Sequence, residues 1–290
     1  MAASLETNEQ PQGDGAAEPA TGILFLCMAR DCARTLPVFF TYLKQLDGNG
    51  FACSAIIGEN GSSDATRSLI EQAAGPRIAL LDTAFMANAA SRLGRMAVGR
   101  QALADAALAR GFREEFVCVA DLDNVMAAPP PPGAVRAASA SLRSNPYLFA
   151  VGATSRPVYY DLLSLRAEGF EFLENLSCEI EAAKRRPWSY YRFHQNRIYR
   201  IQQRMTGCGP VLCASSFNGF CLYRARDYRL GSYRAPDEAK VCEHVSFNCS
   251  IARGSGKRMM ISPHLAVQAP MDHTPVGFLR FWADRLGERL

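Results

Sequence analysis

The chain has 290 residues, of which 48% are hydrophobic and 21% charged, so it contains enough apolar material for a sizeable core. Its formal net charge of +4 is far below that of a typical nucleic-acid-binding protein, and no apolar stretch reaches the length of a membrane span. Residues 1–20 lack the charged start and apolar core of a secretory signal. They are rich in Glu, Gln, Pro, Gly and Ala, which predicts a disordered tail.

The ten cysteines form no Cys-x-x-Cys pair, so the usual zinc spacing is absent. Cys27, Cys53, Cys118 and Cys221 lie within apolar, strand-like segments, where cysteine behaves as a small hydrophobic residue. Because no export signal precedes them, we expect reduced thiols in a cytoplasmic protein.

The first half of the chain alternates strand-like and helix-like segments. Short apolar runs predict strands over residues 22–28, 51–58 and 78–81, and over a run that starts at Phe116. Helical periodicity follows each of the first three, from about Thr35, from Ala65 to Ala74 with Asp64 as N-cap, and from Ala89 to Arg110. This alternation predicts an α/β fold with a mostly parallel central sheet and helices on both faces.

The second half is less regular. Its predicted helices cover residues 133–144, 242–254 and 278–290, and its predicted strands cover residues 148–154, 211–214, 219–223 and 258–261. No repeat or linker is evident, so we predict one domain over residues 21–290. It comprises a nucleotide-binding half of about 21–126 and an acceptor half of about 127–290.

Residues 184–204 interleave arginines with Trp and Tyr. Such a segment can stack on bases or rest on an anionic membrane surface. It can equally be a solvated helix with aromatic side chains in the core, or a lid near a lipid-linked phosphate. The sequence does not decide among these four interpretations.

The fourth predicted strand ends in Asp121 and Asp123. Side chains two residues apart along a strand point to the same side, so both carboxylates can face one point beyond the strand end. Ligands of open α/β sheets bind at that position. Two converging carboxylates favour a hard divalent cation, which commonly accompanies a phosphate-bearing substrate.

Two other predicted strands also end in polar turns. Ala29, Arg30 and Asp31 follow the first strand, and residues 59–64 follow the second. The carboxyl ends of parallel strands meet at one edge of a sheet, so we expect both turns to lie beside Asp121.

With these motifs, residues 22–264 resemble GT-A-fold, nucleotide-sugar-dependent glycosyltransferases of the family-two-like kind. Residues 160–166 and the sequence Ser262-Pro263-His264 are similar to a capsule-associated mannosyltransferase group within that fold. The resemblance implies a single GT-A-like domain. It also implies that the two turns hold the nucleotide through Ala29, Arg30, Asp31, Glu59, Asn60, Ser62 and Asp64.

The resemblance further implies that Asp121 and Asp123 bind Mn²⁺ or Mg²⁺ beneath the diphosphate. His264, which follows a predicted strand and a proline, is a candidate third ligand, and Arg92 or Arg100 is a candidate diphosphate contact. The block Asn218, Gly219 and Phe220 resembles the strand beside the donor sugar. Glu243 resembles the catalytic acid residue and is the candidate general base.

The chain departs from the family pattern at two positions. The acidic residue expected at the first strand end is shifted to Asp31, and the usual second acid after Glu243 is His244. His244 is therefore an alternative base, and the stereochemistry of the reaction stays open.

The predicted function is metal-assisted transfer of a sugar from a UDP- or GDP-linked donor to a glycan or lipid-linked acceptor, as in polysaccharide biosynthesis. The predicted location is the cytoplasm, with peripheral contact at the inner face of the membrane as one option and no nucleic-acid partner. A nucleotidyltransferase is a rival hypothesis, although no Gly-rich, basic phosphate loop follows the first strand. A non-catalytic carbohydrate- or partner-binding module is the other rival.

Overall fold

The computed structural model describes residues 20–206, 208–234 and 241–287. Nine strands form one sheet in the order β3-β2-β1-β4-β8-β5-β9-β7-β6. The strands are β1 Thr21–Ala29, β2 Phe51–Glu59, β3 Ile78–Asp82, β4 Phe116–Asp121, β5 Leu148–Arg156, β6 Arg166–Ala167, β7 Val211–Ser215, β8 Phe220–Arg224 and β9 Arg258–Gln268. Apart from Ala20, the predicted tail lies outside the described residues, as do residues 288–290 of the predicted last helix.

Ten α-helices are present in these ranges. They are α1 Leu36–Asp47, α2 Thr66–Ala73, α3 Arg92–Arg110, α4 Pro132–Ser144, α5 Leu176–Ala183, α6 Pro187–Phe193, α7 Tyr199–Thr206, α8 Ala225–Tyr228, α9 Glu243–Ser255 and α10 Phe278–Gly287. A π-helical turn, His194–Ile198, joins α6 to α7. None of the described helices combines the length and apolar character that a membrane crossing needs.

Most strands of the sheet run in one direction. β1 pairs in parallel with β2 and β4, β2 with β3, and β5 with β9. Only β8, which lies antiparallel between β4 and β5, and β7, which lies antiparallel between β9 and β6, run the other way. The predicted α/β class with a mostly parallel sheet is confirmed, but the insertion of β8 next to β4 was not predicted.

Both faces of the sheet are covered by helices, as predicted. In β1, Phe25 packs in the cluster that contains α1 and α4 residues. Its neighbours Leu24 and Leu26 pack in the opposite cluster, which contains α3 and α9 residues. This alternation follows the two-residue period of a strand, and burial on both faces explains why β1 is continuously apolar.

Several predicted bounds differ from the observed ones, including the following three. Helix α3 begins at Arg92, not Ala89, because extended Ser91 caps it by accepting a hydrogen bond from Gly94 N. The N-cap of α2 is Ala65, not Asp64. Strand β9 continues to Gln268 after a register shift against β5 between Ser262 and Ala266, whereas the sequence predicted its end at Ile261.

Candidate functional site

Asp121 is the last residue of β4, at the carboxyl end of a strand paired in parallel with β1. Its side chain is 23% exposed, and its backbone N–H donates to the Gly219 carbonyl in the turn before β8. Asp123 lies one residue beyond Leu122 and is exposed. Its Oδ1 accepts from Val125 N at 3.0 Å, which caps a short 3-10 helix. The second carboxylate therefore stabilises the turn that carries it.

Arg100 is the central cation of the site. It lies on α3, is 3% exposed, and donates from Nη2 to Asp121 Oδ1 at 2.7 Å and from Nε to Glu243 Oε1 at 3.2 Å. Its guanidinium carbon lies 4.9 Å from the centre of the Phe217 ring. The sequence made either Arg92 or Arg100 a candidate diphosphate contact, and in the structure Arg100 forms an ion-pair bridge between two carboxylates.

Two carboxylates share this one buried guanidinium, and two more, Asp123 and Asp161, act electrostatically on Asp121. Burial, Asp123 and Asp161 raise the pKa of Asp121 to about 7, against the opposing effect of Arg100. Burial also raises the pKa of Asp161, and the Glu243 charge adds to that rise. The site is consequently short of positive charge, which favours the binding of a further cation.

Glu243 and His244 begin α9, whose first turn faces Arg100. Glu243 is 7% exposed, and its Oε1 lies 3.6 Å from His244 Nε2. The His244 ring stacks on Phe217 with centroids 3.6 Å apart. Burial, reinforced by Arg100, lowers the pKa of His244 well below its ordinary value, so the ring is neutral at pH 7. The structure thus brings together Arg100, Asp121 and both candidate bases.

The turns that follow β1 and β2 are hydrogen-bonded to each other, whereas the sequence predicted only that they lie at one edge of the sheet. Asn60 N donates to the Ala29 carbonyl at 3.0 Å, and Asp31 N donates to Ser62 Oγ at 3.0 Å. Asp31 adopts a left-handed φ of 52°, and its Oδ1 accepts from Ser63 N at 2.7 Å. Parallel pairing of β1 with β4 places this double turn on the same sheet edge as Asp121.

Within the double turn, Glu59 supports the loop, and the Arg30 side chain is exposed to solvent beside Asp31. Glu59 is buried, accepting from Ser62 N at 2.6 Å and from Arg67 Nη1 at 3.0 Å. Burial alone would raise the pKa of Glu59, but these hydrogen bonds, with a further one from Gly61, lower it. The Arg30 side chain is 64% exposed.

Two predicted residues lie apart from the Arg100 cluster. Arg92 is exposed at the start of α3, two helical turns before Arg100. His264 is exposed and lies within the register shift of β9, not in a loop after the strand. β9 contacts the Asn124–Ala127 turn that follows Asp123, which places His264 on an element next to the metal motif.

Sequence reasoning missed Asp161. Its N–H donates to Asn218 Oδ1 at 3.1 Å, and its Oδ2 accepts from Asn218 N at 3.4 Å. This reciprocal pair holds buried Asn218 at a left-handed φ of 56°, followed by Gly219 at 81°. A Cβ at Gly219 would lie 2.7 Å from Tyr160 Oη, so only glycine fits there. The aromatic and polar run around Asp161 is the only sequence signal for this contact.

Comparison with known proteins finds similarity in solved structures alone, since no protein-family model and no curated protein matches the sequence. S. aureus TarS 1–349 aligns over 86% of this chain and 60% of its own, at 11% identity and a TM-score of 0.49. Glucosyl-3-phosphoglycerate synthase from Mycobacterium tuberculosis, solved with Mn²⁺, UDP and phosphoglyceric acid, aligns over 92% of this chain and 74% of its own, at 14% identity and a TM-score of 0.46.

The mannosyltransferase PcManGT from Pyrobaculum calidifontis, solved with GDP-Man and Mn²⁺, aligns over 91% of this chain and 60% of its own, at 14% identity and a TM-score of 0.45. Similarity to glycosyltransferases thus recurs among the solved structures. Because these identities and TM-scores are low, a function for this chain has to be argued from its own residues.

The residues present fit a divalent cation that arrives with a phosphate ligand. Within the described ranges, no group of three or more His, Cys, Asp and Glu side chains could hold a metal. Asp123 is exposed, and Arg100 engages only one oxygen of Asp121. Mg²⁺ is commonly held by one or two carboxylates together with substrate phosphates and water. Asp121 and Asp123 can supply the carboxylates of such a ligand set.

Replacement of Asp64 by alanine is expected to cost about 1–2 kcal/mol of folding free energy. Its two carboxylate oxygens accept from Ala33 N at 3.0 Å and Thr66 N at 2.9 Å, linking the two turns. If Asp64 also lines the nucleoside pocket, nucleotide affinity falls as well. Urea unfolding and nucleotide titration of the same variant separate the effects, and unchanged affinity would leave Asp64 with a structural role alone. Asp105→Ala, which removes an exposed acid from α3, is the control.

Proposed function

We propose that the protein is a glycosyltransferase that moves a sugar from a nucleotide-diphosphate donor to a hydroxyl of a glycan or lipid-linked acceptor. The observation that carries the proposal is the Arg100 bridge at the carboxyl edge of the parallel strands. It holds a candidate metal ligand, Asp121, and a candidate base, Glu243, on either side of one buried guanidinium. Sugar transfer needs both groups close together.

Asp121 and Asp123 would hold Mn²⁺ or Mg²⁺, which supplies positive charge to the departing diphosphate. The joined turns after β1 and β2 would hold the nucleoside through Asp31, Asn60 and Ser62. Their mutual hydrogen bonds fix the loop before a ligand arrives, which lowers the entropy lost on binding.

Glu243 would accept the proton of the acceptor hydroxyl. A carboxylate used this way has to be held in place, and Arg100 does this by donating from Nε to Glu243 Oε1 at 3.2 Å. His244 is neutral and stands as the alternative base, although burial and Arg100 lower its pKa and so disfavour the protonated ring. Burial of both residues keeps water, which would hydrolyse the donor, away from the base.

The Asn218–Gly219 turn would lie beside the donor sugar. Asn218 Nδ2 is buried and has no hydrogen-bond partner among the described residues. An unsatisfied buried donor is costly, and a sugar hydroxyl would satisfy it. Phe220, the first residue of β8, is fully buried directly after this turn and would anchor it to the core.

A thermal-shift panel tests the proposed donor site. UDP or GDP with Mn²⁺ is expected to raise the melting temperature by about 5 °C at a hundredfold excess over Kd, and neither component alone should do so. Asp123→Asn should abolish the shift without unfolding the protein, since the Asn oxygen can still cap Val125 N. Asp105→Asn, an exposed acid on α3, is the matched control.

The same panel separates the rival functions. A shift with nucleoside triphosphate and sugar phosphate, but none with UDP- or GDP-sugars, would indicate a nucleotidyltransferase. Absence of any nucleotide-dependent shift would contradict the proposed donor site. Release of UDP or GDP from the donor that gives the largest shift would then separate an enzyme from a binding module.

A further inference from the structure

A second surface combines exposed apolar side chains with cations, and no step of the proposed transfer uses it. We call it the aromatic–arginine patch. Its members are Arg185, Arg186, Trp188, Arg192, Phe278 and Leu279. They lie on α6, on the two residues before it, and at the start of α10, and the two helices pack together.

The two helices are joined by a cluster of rings. The Trp188 ring lies 5.0 Å from that of Phe278, and the Tyr191 ring lies 5.2 Å from it. Beneath them Phe281 is fully buried and packs 5.3 Å from Tyr191. The cluster is therefore a fixed part of the fold, and its outer members are presented to solvent by this packing.

The outer members are strongly exposed for apolar residues. Trp188 is 57% exposed, Phe278 37% and Leu279 84%. Leu279 follows Phe278 directly, so the start of α10 presents two large apolar side chains in succession. Contiguous exposed apolar groups of this kind mark interaction surfaces rather than ordinary solvated helix.

The cations beside them are not neutralised within the described residues. Arg185, Arg186 and Arg192 are exposed, and none of them forms an ion pair there. Arg192 is four residues after Trp188 on α6, which places the two on one helix face. The nearby acids Glu179 and Glu181 are each paired already, with Arg197 and Lys184 at 2.6 Å.

We propose that the aromatic–arginine patch docks on the surface of an anionic lipid bilayer. Trp and Leu side chains enter the region between headgroups and acyl chains, while the arginines contact anionic headgroups. Trp is favoured at that depth because its ring is apolar and its N–H is polar. Without a described membrane-spanning helix, this contact is peripheral and depends on salt.

The patch is linked to the candidate active site through the chain that enters α10. Gln195 Nε2 donates to the Val276 carbonyl at 2.9 Å, which ties this chain to the turn after α6. The His273 ring lies 5.3 Å from that of Tyr160, the residue that packs over Gly219. Docking would hence place the site close to the bilayer surface, where a lipid-linked acceptor would lie.

Vesicle co-sedimentation of the full chain tests docking independently of any enzymatic activity. Binding is expected to vesicles of phosphatidylcholine with about 30% phosphatidylglycerol, whose anionic headgroups attract the arginines. No binding is expected to vesicles of phosphatidylcholine alone. Each arginine contributes about fivefold in affinity, so Arg185→Gln with Arg192→Gln should weaken binding about thirtyfold. Leu279→Ser should weaken it by about tenfold or more.

The matched control variants remove cationic and apolar side chains from surfaces outside the aromatic–arginine patch. Lys44→Gln with Arg113→Gln removes two exposed charges from α1 and the turn before β4, and Leu212→Ser removes an exposed leucine from β7. Both should bind like the unmodified protein. Equal binding to neutral vesicles, equal losses in the controls, or binding of a single-stranded oligonucleotide without binding of vesicles would each overturn the proposal. Unchanged melting temperatures confirm that the variants are folded.

Discussion

Replacement of Glu243 by glutamine is expected to lower turnover by about a hundredfold or more, with donor affinity within a few-fold of normal. Glutamine keeps the size of the side chain and an oxygen that can accept from Arg100 Nε, but it cannot take a proton. A base meets the acceptor hydroxyl only in the ternary complex, so its loss affects turnover and leaves donor binding intact. Single-turnover kinetics with the donor that gives the largest thermal shift measure both quantities.

Two further variants make this result specific. Glu71→Gln removes an exposed acid from α2 and should leave turnover unchanged. His244→Gln distinguishes the two candidate bases. Near-normal turnover for Glu243→Gln together with a large loss for His244→Gln would assign the base to His244. Near-normal turnover for both would contradict a protein base at the start of α9 and favour a retaining reaction.

Replacement of Arg100 by methionine is expected to destabilise the fold by about 3–5 kcal/mol, because it leaves Asp121 and Glu243 without their shared cation in a buried site. Urea unfolding should show a lower midpoint at an unchanged slope. Arg92→Met, at the exposed start of the same helix, should stay within about 0.5 kcal/mol of the unmodified protein.

A double-mutant cycle tests whether the loss comes from the unpaired carboxylates. Glu243→Gln removes one of them, so the double variant Arg100→Met with Glu243→Gln should be more stable than the sum of the single losses indicates. Strict additivity, or a loss below about 1 kcal/mol for Arg100→Met, would contradict the bridge as a stabilising element.

The sequence predicted the first four strands and the helices between them because their signals are local. β1 and β4 are continuous apolar runs that lead into polar residues, and β2 ends in a polar turn that leads into α2. The rule that parallel strand ends share one edge then predicts that Asp31, Ser62 and Asp121 lie on the same side of the sheet.

The pairing of Arg100 with Asp121 and Glu243 could not be predicted in the same way. Arg100 lies on an Ala-rich helix whose pattern resembles that of a solvated helix, and Glu243 is 143 residues away. Only the packing of α3 and α9 on the same sheet face decides that the guanidinium is buried between them. The Asp161–Asn218 pair, 57 residues apart, depends on tertiary packing in the same way.

While the protein is being synthesised, β4 leaves the ribosome long before β8, its antiparallel neighbour in the finished sheet. Until Phe220–Arg224 emerges, the backbone groups along one side of β4 have no partner, and an unpaired edge next to apolar side chains invites association with other chains. β5 is also without partners at this stage, because its two neighbours in the sheet, β8 and β9, are both synthesised after it. Closure of the sheet is thus a late, long-range event, and the open strand edges expose the nascent chain to association until it occurs.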